Sequence, residues 1–328
     1  MHKYIKIYQS TSHEAAFNLA LEEYLLKCCD HETVILYLWQ NKPSIIIGKH
    51  QNPYKECHIE KIKAAEVALV RRQSGGGAVY HDLGNLNFTF IAHETNYDTE
   101  KQYKVILQAI KKWKLQGQIS GRNDLTIQGS KFSGNAFMNH NDFICHHGTL
   151  LIDVDLERLA QYLTPSPLKI QSKGIDSVKA RVINLKSLDE DITSEGLISE
   201  IIESFQQVYG IKTKVIELNE TGASETLLKQ TEIYQSWQWN YGESPAFDLS
   251  FAEKFAWGLF EIDFKMQNAI IEKARINTDC ILIENFHDLE KKLQNVPLKS
   301  EILEYILGNA LKEPQIKADL IGFFKINL

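Results

Sequence analysis

Hydrophobic and polar positions change period repeatedly along the chain, and each change marks an element. Tyr4–Tyr8 alternates like a strand. From Thr11 to Cys29 the residues Phe17, Leu21, Tyr24, Leu25 and Cys28 recur at helical spacing, and Thr11 with Glu14 has the form of a capping box. Val34–Trp39 and Ser44–Gly48 are apolar, β-branched runs on either side of Asn41-Lys42-Pro43, which predicts a hairpin. Cys57–Glu66 reads as a helix, and Val67–Val70 as a buried strand leading into Arg71-Arg72. Leu86–Ala92 is strongly β, and Lys101–Leu115 is an amphipathic helix with a basic outer face. Three strands then follow at Leu125–Gln128, Lys131–Met138 and Phe143–Asp153. Helical patterns occupy Glu157–Leu163, Thr193–Tyr209 and Glu225–Trp239.

The pattern breaks at Tyr241-Gly242-Glu243-Ser244-Pro245. Beyond it, Phe247–Glu284 reads as a meander of strands, and Phe286–Leu293, Leu298–Leu311 and Ile316–Phe324 as helices. A chain of 328 residues exceeds one compact core. Two domains are expected, 1–244 and 247–328. Hairpins mixed with helices predict an α/β (α+β) fold with mixed, largely antiparallel sheets.

Composition narrows the function. Hydrophobic residues make up 44% and charged residues 24%, as in ordinary globular proteins. The net charge of −6 argues against broad nucleic-acid binding but leaves room for a local basic patch. Five cysteines with no Cys-x-x-Cys pair fit reduced thiols in a cytoplasmic protein better than disulfides or a zinc knuckle. No apolar run is long enough to span a membrane, and Met1–Ser10 lacks the apolar region of a secretion signal.

Chemistry concentrates between Arg71 and Asn87. Gly75-Gly76-Gly77 lets the backbone approach a ligand closely, and its N–H groups suit anionic oxygens. Arg71 and Arg72 are planar donors for phosphate or carboxylate. No Gly-Lys-Ser/Thr follows, so this is not a Walker A loop. Tyr80 stands where a dinucleotide fingerprint needs its third glycine. A plain glycine-rich turn with solvated arginines is the alternative. Asn85 and Asn87 share a strand face, although Asn85 after Gly84 also suits a turn cap. Asn123-Asp124 precedes a strand, where a carboxylate near phosphates suits Mg²⁺. The alternation of Lys131, Ser133 and Asn135 predicts three polar side chains on one face, either toward a ligand or toward solvent. Cys145 and His147 share a face, with His140 and Asp142 nearby, but nothing elsewhere in the sequence supports a metal site. Leu36, Trp39 and Phe17 are candidates for an apolar pocket or for plain core.

Together these segments resemble the lipoate–protein ligase family. The match runs through Arg-Arg-x-Ser-Gly-Gly-Gly-Ala-Val-Tyr-His-Asp (71–82), Gly84-Asn85, Asn87 and Asn123-Asp124. It continues through Lys131-x-Ser133-Gly134-x-Ala136, His146-His147-Gly-Thr-Leu-Leu (146–151), Lys173-Gly174-Ile175, Ser177-Val178 and Arg181-Val182-x-Asn184. Trp239-Asn240-Tyr241-Gly242-x-Ser244-Pro245-x-Phe247 closes it. The match weakens in the last 80 or so residues.

The resemblance implies a lipoyl/biotinyl ligase-type catalytic domain and a small C-terminal domain that packs against it or swings away after adenylation. It implies that lipoate attacks the α-phosphate of ATP, and that lipoyl-AMP then acylates a lysine of a lipoyl domain. Acceptors of this class are 2-oxoacid dehydrogenase E2 subunits and the glycine-cleavage H protein, and the sequence does not choose between them. Lys131 matches the family lysine that contacts carboxylate and α-phosphate. Gly75, Gly76, Gly77, Ala78 and Val79 correspond to the adenylate cradle, with Arg72 and Ser74 as polar contacts. Asn123 is expected at the nucleotide, Asp124 and Asn85 at the nucleotide or Mg²⁺, and Ser133, Gly134 and Ala136 on the lysine strand. Trp39, Val79, Phe17 and Leu21 are expected to bury the acyl chain, with His81 and His147 shaping the pocket. Phe132 and Lys49 depart from the family's usual residues, and Phe132 is expected to alter the acyl pocket.

The nearest rival is an ATP-independent octanoyl or lipoyl transferase acting through Cys145, although Cys145 precedes the His-His-Gly block where such a thiol should follow. Biotin ligases use a Gly-Arg-Gly-Arg-type loop that is absent here. A non-catalytic scaffold has no need for Lys131 or the glycine segment.

Overall fold

The computed structural model describes residues 2–121, 123–163, 182–241, 249–267, 270–282 and 284–327. The chain opens with β1 (Tyr4–Ser10), α1 (Ala15–Cys28), β2 (Thr33–Gln40) and β3 (Ser44–Ile47). Next come α2 (Pro53–Glu56), α3 (Ile59–Ala64), β4 (Ala68–Arg71), β5 (Val79–His81), β6 (Asn85–His93) and α4 (Thr99–Ala109). Then follow β7 (Gln118–Ser120), β8 (Asp124–Ile127), β9 (Ser130–His140), β10 (Phe143–Leu151), α5 (Leu156–Tyr162) and α6 (Ser194–Tyr209). Strand β11 (Val215–Leu218) and helices α7 (Glu225–Gln235) and α8 (Trp237–Asn240) complete this part.

Eight strands form one sheet in the order β11-β1-β2-β6-β10-β9-β8-β7. β1 runs parallel to both β11 and β2, and every other pairing is antiparallel. β2 reads Thr-Val-Ile-Leu-Tyr-Leu-Trp because both its faces are covered, and a strand buried twice needs no polar alternation. Val34, Leu36 and Leu38 face α4 and α6 with Phe88, Phe90, Ile201 and Phe205. Ile35, Tyr37 and Trp39 face α1 and α7 with Phe17, Leu21 and Leu227. The site forms on this second face. Beside it β4-β3-β5 makes a small sheet packed on α3 and α5.

Two local expectations are corrected. No capping box forms, because the Thr11 amide donates to Leu218 O at 3.0 Å and keeps the chain extended past β1. Helix α1 starts at Ala15, and the Ser12 hydroxyl accepts the Glu14 amide at 3.1 Å. β2 and β3 are not a hairpin either. They belong to different sheets, because Asn41 is buried between them and tied to Asn18 and His81.

The C-terminal part has β12 (Leu249–Phe255), β13 (Gly258–Gln267), β14 (Ile270–Thr278), α9 (Phe286–Lys292), β15 (Val296–Pro297), α10 (Ser300–Ala310) and α11 (Pro314–Asn327). Its four-stranded antiparallel sheet and helices enclose a core of their own, including Phe260, Phe264, Leu307 and Phe323. The predicted meander and helices are present. The predicted break at 241–245 falls largely on 242–248, outside the described residues, as does the 173–181 block. The two parts meet at the glycine segment: the Thr278 amide donates to His50 O at 2.9 Å and the Gly76 amide to Cys280 O at 3.2 Å.

Candidate active site

Lys131 reaches the site through an irregularity in the sheet. Thr126 of β8 faces Lys131 of β9, yet Leu125 faces Ser133, so Phe132 is an extra residue and the strand bulges. The bulge breaks the expected alternation. Lys131 shares the cavity wall with Gly134 and Ala136, whereas Phe132 packs in the core of the opposite face. Phe132 therefore does not touch the acyl pocket as expected. Ser133 is buried away from the cavity, where its hydroxyl accepts from Asn135 Nδ2 at 3.3 Å. Lys131 Nζ lies 2.6 Å from Asp124 Oδ1. Asn123 and Asn135 clamp this turn reciprocally: Asn123 Nδ2 donates to Asn135 O at 2.8 Å and Asn135 Nδ2 to Asn123 O at 2.9 Å.

The glycine segment forms the opposite wall, and the two arginines shape it. Arg71 donates to the carbonyls of Gly48, Lys49, Gln51, Trp239 and Asn240 at 2.6–3.1 Å. Arg72 donates to Ser74 Oγ and to the carbonyls of Ile46, Gly75 and Gly77. Their fork geometry, expected to meet a ligand, is spent on backbone, and burial lowers both to about 10, still charged at neutral pH. Gly76 has φ +95°, where a side chain is strained, and a Cβ on Gly75 would overlap the Cys280 carbonyl. Gly75 and Ser74 support the wall. Gly76, Gly77, Ala78 and Val79 line it.

Between the walls lies a cavity of about 490 Å³. Its apolar lining includes Leu19, Trp39, Ile46 and Val79. Phe17 and Leu21 lie instead in the core beneath, and Leu36 is on the far face of the sheet. Leu19 escaped the sequence reading because it falls off the stripe used to define helix α1. Asn85, Asn87, Asn123 and Asp124 supply polar lining, with Asn85 Nδ2 donating to Asn87 Oδ1 at 3.0 Å. Lys254, Trp257, Asp279 and Ile281 of the C-terminal part also line it, and no sequence motif marked them.

Two histidines sit in this wall. His147 Nε2 is 2.7 Å from Ser74 Oγ, and its Nδ1 is 2.8 Å from Glu22 Oε1, which also accepts from Thr89 Oγ1 at 2.6 Å. Glu22 was missed, although Asn18 and Glu22, one turn apart in an otherwise apolar stretch of helix, are the signal that marks it. His81 is buried, and desolvation, then Arg72 and His147, lower it to about 3. Cys145 lies within 4.8 Å of the ligating atoms of Glu22 and His147. It is fully buried, is not part of the cavity lining, and burial followed by the Glu22 charge raises its thiol well above the ordinary range. That is the reverse of a nucleophilic thiol.

An eight-stranded mixed sheet carrying a glycine wall, an apolar floor and a lysine on the facing strand is the architecture of lipoyl ligase enzymes. Residues 14–206 match the lipoyl protein ligase A/B catalytic domain, and residues 244–321 match the bacterial lipoate protein ligase C-terminus. The chain belongs to the lipoate–protein ligase A family. It is 38% identical to the lipoate-protein ligase A of Blochmanniella floridana over 307 residues, 92% of this chain and 91% of that one. The P. falciparum protein LipL1, solved in complex with lipoate, superposes with a TM-score of 0.85 at 32% identity, covering 97% of this chain and 98% of its own. A bi-partite lipoate protein ligase from Thermoplasma acidophilum, described with its E2 lipoyl domain, gives 0.64 at 23% identity over 75% of this chain and 99% of its own. That last likeness concerns fold alone.

Proposed function

We propose that this chain is an ATP-dependent lipoate–protein ligase. A lipoate carboxylate oxygen attacks the α-phosphorus of ATP and pyrophosphate leaves. An acceptor lysine amine then attacks the lipoyl-adenylate carbonyl, and AMP leaves. The observation that carries this reading is Lys131 Nζ, paired to Asp124 at 2.6 Å and facing a cavity with an apolar floor. Attack of one anion on another needs a cation where they meet, and a lysine already oriented stabilises charge that grows in the transition state. Leu19, Trp39, Ile46 and Val79 take the hydrocarbon chain, whose methylenes gain roughly 0.8 kcal/mol each on burial.

Asp124 and the unpartnered Oδ1 of Asn85 fit Mg²⁺, which is commonly held by one or two carboxylates and the phosphates themselves. When bound, the ion would neutralise phosphate charge. In this reading residues 1–244 carry the chemistry and 247–328 form an accessory domain. Cys280 O holds the Gly76 amide that the adenylate needs, so that contact must part after activation. The acceptor is a lipoyl domain of a 2-oxoacid dehydrogenase E2 subunit or an H protein, as in the ligase family. Five cysteines with no Cys-x-x-Cys pair fit a cytoplasmic setting.

The test is acceptor mass: protein, lipoate, Mg²⁺ and apo lipoyl domain, with and without ATP, then with Lys131→Ala. A lipoyl-sized gain that needs ATP and disappears in the variant is expected. Transfer from an acyl-carrier donor without ATP would overturn the reading.

A further inference from the structure

His81, at the end of β5, is 3% exposed and lines the cavity, and its Nε2 has no hydrogen-bond partner. Its other nitrogen is set by a chain of amides whose polarity starts from the backbone. Asn18 Nδ2 lies 3.0 Å from Ser12 O and 2.9 Å from Gln40 O. Carbonyls only accept, so that atom is the amide nitrogen. It also donates to Asn41 Oδ1 at 2.9 Å, while Tyr37 OH donates to Asn18 Oδ1 at 3.1 Å. Asn41 has thus given its oxygen to Asn18 and turns its Nδ2 to His81 Nδ1 at 3.1 Å. Nδ1 is therefore the lone-pair nitrogen, and the proton of the neutral ring sits on the buried, unpartnered Nε2.

Other donors around the apolar floor are occupied. Arg72 is held by Ser74 Oγ and backbone carbonyls, His147 by Glu22 and Ser74, and Asn87 Nδ2 by Trp39 O at 3.3 Å. The His81 ring stands edge-on to Trp39, with centroids 6.1 Å apart, and both line the cavity beside Val79. A ligand with an aliphatic chain and a terminal carboxylate matches that combination of apolar wall and buried donor.

We propose that His81 Nε2–H donates a hydrogen bond to the carboxylate oxygen of the acyl substrate. Asn41, which does not line the cavity, is the positioning residue that keeps His81 in the donor tautomer. This rests on the ligase reading above. Burial, Arg72 and His147 hold the ring neutral across physiological pH, so the donor does not change with pH in the native protein.

The experiment is ¹⁵N NMR of the histidine rings in the full chain, titrated with lipoate without ATP. The expected spectrum places the His81 proton on Nε2 between pH 5.5 and 8.5, with that nitrogen shifted at saturating lipoate. A proton on Nδ1, or an Nε2 unmoved by lipoate in protein that ligates lipoate, overturns the proposal and leaves the ligase reading intact. Failure of ligation itself removes both.

The isosteric Asn41→Asp gives a kinetic readout. A carboxylate there must accept, so it draws the proton to Nδ1, and the donor returns only in the imidazolium. The variant's KM for lipoate should rise about tenfold at pH 8, the order of one buried hydrogen bond, and recover toward pH 6, with KM for ATP within twofold. The charged groups acting on the ring are Arg72 and His147, the latter held by Glu22. All are common to variant and parent, so the difference between the two profiles isolates His81. Equal rises in both KM values, or a pH-independent loss of kcat, would assign Asn41 a merely structural role.

Discussion

Asp124 Oδ1 and Lys131 Nζ lie 2.6 Å apart although their strands slip register between them. Both side chains are about one-third exposed, so the pair adds little to stability; its effect is to aim the lysine. Lys131→Ala is therefore expected to leave the melting temperature within about 2 °C, because no buried packing is lost. Pyrophosphate release in a single turnover should fall by roughly 10²–10³-fold, the scale of losing one electrostatic stabiliser. Asp124→Asn should give a smaller loss. An unchanged rate in Lys131→Ala would remove the lysine from the chemistry.

Cys145→Ala is expected to ligate lipoate within about threefold of the parent. The thiol is sealed in the core beside Glu22 and is held protonated there. Removing one buried sulfur should cost on the order of 1 kcal/mol, read as a lower urea midpoint. ATP-independent transfer that vanishes in this variant would reinstate the transferase reading.

Arg71 tests whether the motif arginines bind ligand or hold shape. Its guanidinium ties the Gly48–Gln51 turn to Trp239 and Asn240, and Asn240 Oδ1 accepts the Arg71 amide at 2.8 Å. Arg71→Met leaves several buried carbonyls unsatisfied, each costing about 1–3 kcal/mol unless water replaces the donor. The expected result is a loss of about 3 kcal/mol or more in urea unfolding, with the KM for ATP little changed in the fraction that stays folded. A raised KM at unchanged stability would return Arg71 to the ligand.

Much of the fold was legible because the chemistry of burial is local. Strand β2 is apolar on both faces and β6 is apolar on one, and each was read within a residue or two. The site segments were legible as motifs, since three glycines and Asn123-Asp124 are unusual at any spacing. What failed depended on partners distant in sequence. The bulge at Phe132 follows from register against β8, and it alone decides that Ser133 turns away from the cavity. Arg71 was assigned to ligand because nothing local announces that Trp239 and Asn240, some 168 residues on, would fill its fork. The C-terminal lining residues were likewise invisible, because only the packing of that part on the glycine segment brings them to the cavity.

The buried histidines set the stability profile below neutral pH. His81 and His146 are each lowered to about 3, chiefly by desolvation. His146 is enclosed by Phe137, Phe88 and Tyr103, with ring nitrogens 2.8 Å from Gln102 Oε1 and 2.9 Å from Asn135 Oδ1. Unfolded histidine titrates near 6.5, so between about pH 6.5 and 3 the unfolded chain binds protons that the native state refuses. Stability is therefore full above pH 6.5 and falls as the pH drops. With His50, which desolvation also lowers to about 3, the three rings together contribute a slope approaching about 4 kcal/mol per pH unit once all are charged in the unfolded chain. Urea midpoints measured from pH 7.5 to 4.5 should decline steadily, and His146→Gln should flatten the decline by about a third. A parent profile that is flat across this window would mean these rings take up protons while folded.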